Sequence, residues 1–237
     1  MEASLAEAIA ELNNKGVHEI KRGKYSHACR YLSKAVYRTR QAMMESPSLF
    51  DLKSEKPCLD SRVSFVASPI TERFLNTAPS GVDSINHSVR ILSIPFEINY
   101  DFDSRKFLPL TDVTSTCVVV IFNLAIARQL KAITESVSHS STYNDLKGAM
   151  RLYELSYKLY ANEMVELDVH YSIATLNNLA HIHYHLGDSV KAKQCCEGLL
   201  RCIMYVAQQF DFKDMLKCYF WCVWRLILND PCTAPAA

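Results

Sequence analysis

The sequence predicts an all-α protein built from paired helices, and three observations carry that prediction. Residues 175–204 read as two antiparallel helices joined at Leu186-Gly187-Asp188. Leu176, Leu179, Ile182 and Leu186 recur at three- and four-residue steps, and Ala192, Cys196, Leu199 and Ile203 form a facing stripe. The same arithmetic opens the chain. Gly16 and Gly23 precede Ala28 by twelve and five residues, as Ala180 and Gly187 precede Ala192, and Ala35 and Leu199 each follow by seven. A third copy starts at Phe122-Asn-Leu-Ala-Ile-Ala and resumes at Gly148, with Ala149 to Ser156 again seven. Ala125 precedes Ala149 by twenty-four, so its turn is twelve residues longer, and the polar, Ser-rich stretch 134–144 accounts for most of the excess.

In chain order, the first helix is expected over 3–22, with Leu5, Ile9, Leu12, Gly16 and Ile20 facing inward, and its partner over about 26–44. Residues 45–111 then form an insertion rich in Ser and Pro, too long for an ordinary connection. Within it Leu92, Ile94, Phe96, Ile98 and Tyr100 alternate with smaller or polar residues, a strand signature, and Val63-Ser-Phe-Val is a shorter candidate. A small β-hairpin is expected, with Pro95 at an edge. Helices follow over about 112–134, 144–163, 165–186 and 188–209, where Gly187 ends one helix and Asp188 caps the next. The last, within 212–230, reads DMLKCYFWCVWRLIL and is apolar nearly all round. It is expected to cap the final pair; the competing reading is a homodimer interface through Phe220, Trp221 and Trp224.

Helix pairs with this spacing resemble tetratricopeptide repeats (TPR), whose period is about 34 residues. The matching positions are Leu12, Gly16, Gly23, Tyr25, Ala28, Leu32 and Ala35, then Leu124, Ala125, Ala149, Tyr153 and Ser156, then Leu176, Leu179, Ala180, Gly187, Ala192 and Leu199. Leu12, Ile121 and Leu176 stand where a large aromatic is usual, and no proline closes a repeat. The phrase Leu176-Asn-Asn-Leu-Ala resembles the longer kinesin-light-chain type of repeat. The resemblance implies a right-handed superhelix of three helix pairs (1–44 and two within 112–211) with a C-terminal capping helix, and a concave peptide-binding groove.

Function is then sought on the groove. An asparagine stands two residues before each small position: Asn14, Asn123 and Asn178. The resemblance places it on the inner helix, where an amide that donates and accepts at once pairs with both groups of an extended backbone. One turn on, the same face carries Lys21 in the first copy and His181, Tyr184 and His185 in the third. The expected function is a non-catalytic adaptor or scaffold binding a peptide or protein segment. The alternative is a self-associating structural protein whose groove is filled by its own insertion, through Phe96, Phe102 or Leu108. The positions where some TPR proteins clamp a C-terminal carboxylate hold Asn13, Ala174 and Asn178 instead of lysine or arginine, which argues against a chaperone-tail receptor.

Composition bounds the remaining classes. Twenty-six basic residues balance twenty-five acidic ones, so no global field recruits nucleic acid or an anionic membrane. No run of about 18 apolar residues is expected to span a bilayer. Nine cysteines without a C-x-x-C pair point to a reduced cytoplasmic compartment, without separating cytosol from nucleus. His181 and His185 share a helix face but lack a third ligand, so neither metal nor cofactor is expected. Six glycines leave little room for a phosphate-cradling loop, and no nucleophile motif occurs.

Overall fold

The computed structural model describes residues 5–45, 63–67, 95–100, 110–135, 139–163 and 169–209. The chain divides into two compact units, Met1–Ile70 with Ile94–Leu167 and Thr71–Ser93 with Asp168–Ala237. The described residues are all-α apart from one pair of short strands.

The first unit contains α1 (Leu5–Lys21), α2 (Tyr25–Glu45), β1 (Val63–Ala67), β2 (Phe96–Tyr100), α3 (Leu110–Thr134) and α4 (His139–Glu163). Helix α1 stops because Gly23 takes a φ of 72°. In that turn the Gly23 and Lys24 N–H groups return to the carbonyls of Ile20 and Glu19, each at 2.9 Å. The reversed chain lays Ala28, Leu32 and Ala35 of α2 against Ile9, Val17 and Ile20 of α1, all buried. Gly16 is needed at the crossing, since a Cβ there would meet Leu32 Cγ at 2.5 Å.

Helix α3 is the centre of the unit and packs on α2, α4, α1 and β2. Residues 116–127 are buried without interruption. Against the expectation from composition, Thr114–Thr134 is long and apolar enough to cross a membrane. The fold supplies another use for that apolarity, because 83% of the window is buried inside it. Ser26 of α2 donates a 2.6 Å hydrogen bond to Glu135 just past the end of α3. Tyr153 of α4 donates to Gln129, and Ser156 to the Val118 carbonyl, both at 2.8 Å, so the α3–α4 seam is sealed by polar as well as apolar contacts.

Helix α4 begins at His139, five residues earlier than the 144 expected, so much of the Ser-rich stretch is helical. Propagating a helix from a packed turn costs little per residue, and Leu146, Ala149 and Tyr153 already anchor this one. Lys147 Nζ lies 4.4 Å from the Tyr143 ring one turn away and adds support to the exposed end.

Strands β1 and β2 pair antiparallel, with Phe65 opposite Ile98 and Ala67 opposite Phe96. Pro95 precedes β2 and therefore removes no ladder donor from it. Residues 92–94 of the expected strand, and Phe102 and Leu108, lie outside the described residues.

The second unit contains α5 (Val169–His185) and α6 (Ser189–Gln209), packed on each other. Their junction follows the expected chemistry. Gly187 has a φ of 78°, and the Asp188 carboxylate accepts from the Lys191 N–H at 3.1 Å as the cap of α6. That hydrogen bond, aided by the nearby Lys191 and His183 charges, holds the Asp188 carboxyl below its ordinary range. Leu179 and Ile182 of α5, with Ala192, Cys196, Leu199 and Ile203 of α6, are buried. The expected capping helix at 212–230, with Phe220, Trp221 and Trp224, lies outside the described residues.

Candidate functional site

Asn14 and Asn123 meet on β2. Asn123 sits on α3, fully buried, and accepts from the Phe96 N–H at 2.9 Å while donating to the Phe96 carbonyl at 2.8 Å. Asn14, half-buried on α1, does the same for Ile98, accepting from its N–H and donating to its carbonyl at 2.9 Å each. Each amide thus holds both backbone groups of one residue, the pairing expected of a ligand's backbone. Here the backbone is the chain's own.

A further asparagine completes the row. Asn13, fully buried, donates to the Phe96 carbonyl at 3.0 Å and to Asn14 Oδ1 at 3.1 Å, and accepts from Asn123 Nδ2 at 2.8 Å. It ties the two clamping amides together across α1 and α3. Sequence reasoning weighed Asn13 only as a missing cation and so overlooked this role. The signal was the doublet Asn13-Asn14, matched by Asn177-Asn178 at the equivalent place in the third copy.

Strand geometry explains why alternate residues are gripped. In an antiparallel ribbon, Phe96 and Ile98 turn their N–H and C=O groups to one edge, and Glu97 and Asn99 turn theirs to the other. The register places Glu97 and Asn99 opposite Val66 and Ser64 of β1. The asparagine row therefore stands where a third strand would, and closes an edge that would otherwise be open.

The side chains of the gripped stretch have separate surroundings. The Phe96 ring is buried and lies 5.7 Å from the Phe122 ring, which in turn meets Tyr153 edge-on at 5.6 Å. Ile98 is buried as well. Glu97 lies on the other face, and Lys21 at the end of α1 donates to its carboxylate at 2.6 Å, with both side chains more than a third exposed.

Of the seven expected groove residues, the structure brings Asn14, Lys21 and Asn123 to one strand and places Asn178, His181, Tyr184 and His185 on α5 of the second unit. There Asn177 and Asn178 are both buried, with Asn177 Nδ2 donating to Asn178 Oδ1 at 3.3 Å, the geometry of the Asn13–Asn14 pair. His181 and His185 bring their Nε2 atoms to 3.1 Å. Burial, and then the His185 ring, pushes the His181 pKa down to about 3. Burial also lowers that of His185, so the two rings share a proton-poor hydrogen bond at neutral pH. Tyr184 is half exposed and meets the His185 ring edge-on at 6.1 Å. His183 points instead to Asp188, Nδ1 to carboxylate at 3.7 Å. Among the described residues no group of three or more His, Cys, Asp or Glu side chains converges as a metal site would require.

The thiol of Cys117 on α3 is pushed up to about 11 by burial alone, the behaviour of a small core residue. No family model, curated protein or solved structure matches the chain.

Proposed function

We propose that the chain is a non-catalytic protein–protein interaction module of TPR type, an adaptor or scaffold in which asparagines on the inner helices read the backbone of an extended segment. One observation carries the reading: Asn14 and Asn123 each hold the N–H and C=O of a single residue in an extended strand. An amide placed this way recognises backbone and is indifferent to side chain. In this reading the helix pairs belong to a right-handed superhelix of three pairs with a capping helix at 212–230. The module works in the cytoplasm or nucleus, without nucleic acid, membrane or cofactor.

The same contacts favour a second reading in one respect. The occupant of the row is the chain's own β2, as required of a structural protein whose groove is filled by its own insertion and which self-associates. Under the first reading, the partner docks at the exposed end of α5, on Tyr184 and His185, with Asn178 and His181 buried beneath. Proximity labelling by the native chain and by a Tyr184→Glu variant separates the two. Loss of a defined set of partners in the variant supports the module. An unchanged set, with light scattering that reports a stable homo-oligomer, replaces it with the structural reading.

A further inference from the structure

The strand held by the asparagines also describes what else the row would accept. Backbone pairing at Phe96 and Ile98 imposes an extended conformation over three residues but no sequence. Sequence preference comes from the three side chains between and beside those pairs. The first is an aromatic ring stacked on Phe122, itself backed by Tyr153. The second is a carboxylate reached by Lys21 at the rim. The third is an aliphatic side chain in the interior, where Ile98 is buried.

We propose that the asparagine row of the first unit takes, in trans, an extended segment of another protein with the order aromatic–acidic–aliphatic, and that β2 is its in-cis occupant. This rests on the reading of the row as a backbone receptor. The competing segment keeps the contacts that Phe96, Glu97 and Ile98 make to Asn13, Asn14, Lys21 and Asn123, because those go to backbone atoms and to one carboxylate. It also meets the same β1 ladder on its other edge, through the residues that correspond to Glu97 and Asn99. The cis strand competes at an effective concentration on the order of millimolar. A partner therefore enters when its own concentration is raised locally or when the cis strand is weakened. Lys21 selects for charge at the middle position, and its exposure makes that selection sensitive to salt.

The test uses the full chain and two labelled peptides, residues 94–100 as they stand (IPFEINY) and the same peptide with lysine replacing Glu97. In a Glu97→Lys chain the cis strand meets Lys21 with like charge. That chain is expected to bind the native peptide by fluorescence anisotropy about threefold to tenfold more tightly than the native chain does, and to prefer it over the lysine peptide by a similar factor. A Lys21→Glu chain sets up the repulsion from the opposite side, and its preference must invert to the lysine peptide. Folded variants that bind neither peptide above the native chain, or bind both alike, overturn the proposal. Variants that both fail to fold overturn it too, because β2 is then a fixed strut that cannot be exchanged. None of these outcomes touches the exposed end of α5, so the adaptor reading stands or falls separately on the Tyr184 variant.

Discussion

Replacing Asn123 by alanine removes three hydrogen bonds at one buried point: the one accepted from the Phe96 N–H, and those donated to the Phe96 carbonyl and to Asn13 Oδ1. The Phe96 carbonyl keeps Asn13 Nδ2 at 3.0 Å, so its loss is partial. The Phe96 N–H and Asn13 Oδ1 each lose a partner inside a region that water does not reach. Stripping a buried polar atom of its partner costs about 1–3 kcal/mol. Two such atoms give about 2–6 kcal/mol, a large part of a typical stability of about 5–15 kcal/mol. For a chain of this size that is roughly 4–24 °C in the unfolding midpoint of the first unit. Asn14→Ala is the internal control. Its two bonds to Ile98 are equally short, but the side chain is half-buried and water replaces the amide, so the cost is about 1 kcal/mol. Urea unfolding followed by circular dichroism reads both, with the urea slope showing whether a similar surface unfolds. Asn123→Ala within about 0.5 kcal/mol of the native chain would refute the reasoning, as would a larger loss from Asn14→Ala.

Three further outcomes are expected. Gly16→Ala places a Cβ 2.5 Å from Leu32 Cγ and is expected to cost about 1–3 kcal/mol by thermal unfolding; the loss should be smaller in a Leu32→Ala background, and an additive double variant would contradict the close approach. The Lys21–Glu97 pair, more than a third exposed on both sides, is expected to show a coupling of about 0.2–1 kcal/mol in a double-mutant cycle that fades in high salt. His181 has a folded pKa of about 3, far below its ordinary 6.5. The unfolded chain therefore binds the extra proton first, and stability present above pH 6.5 is lost as pH falls towards 3. The slope from this residue is at most about 1.4 kcal/mol per pH unit, and a His181→Gln chain should show a shallower loss between pH 6.5 and 5 by thermal melts.

Most of the helical frame was legible because it depends on local chemistry. The apolar period of α1, α2, α5 and α6, the left-handed glycines at 23 and 187, and the Asp188 cap are short-range signals that tertiary packing reinforces. The start of α4 was misread because a run of Ser and Thr carries loop propensity, whereas a helix already fixed by Leu146, Ala149 and Tyr153 extends through it at small cost. The buried α3 hid its role for a different reason. A helix packed on several elements has no polar face, so its composition alone is that of a membrane span.

The site was half legible. A recurrent asparagine at one register marked Asn14 and Asn123 as backbone readers, and periodicity marked Phe96–Tyr100 as a strand. That the second would lie on the first is a contact across more than eighty residues from Asn14, and no local pattern encodes such a contact. Asn13 was missed for the same reason: on α1 alone it is one more polar residue, and its purpose emerges only when α3 and β2 arrive together.

Residue-resolved amide hydrogen exchange at Phe96 and Ile98 tests the central claim most directly. Both amides should be strongly protected in the native chain. Protection at Phe96 should fall selectively in Asn123→Ala, and at Ile98 in Asn14→Ala. Amides at both positions that exchange at the rate of an unstructured chain, or that ignore the two substitutions, would contradict it.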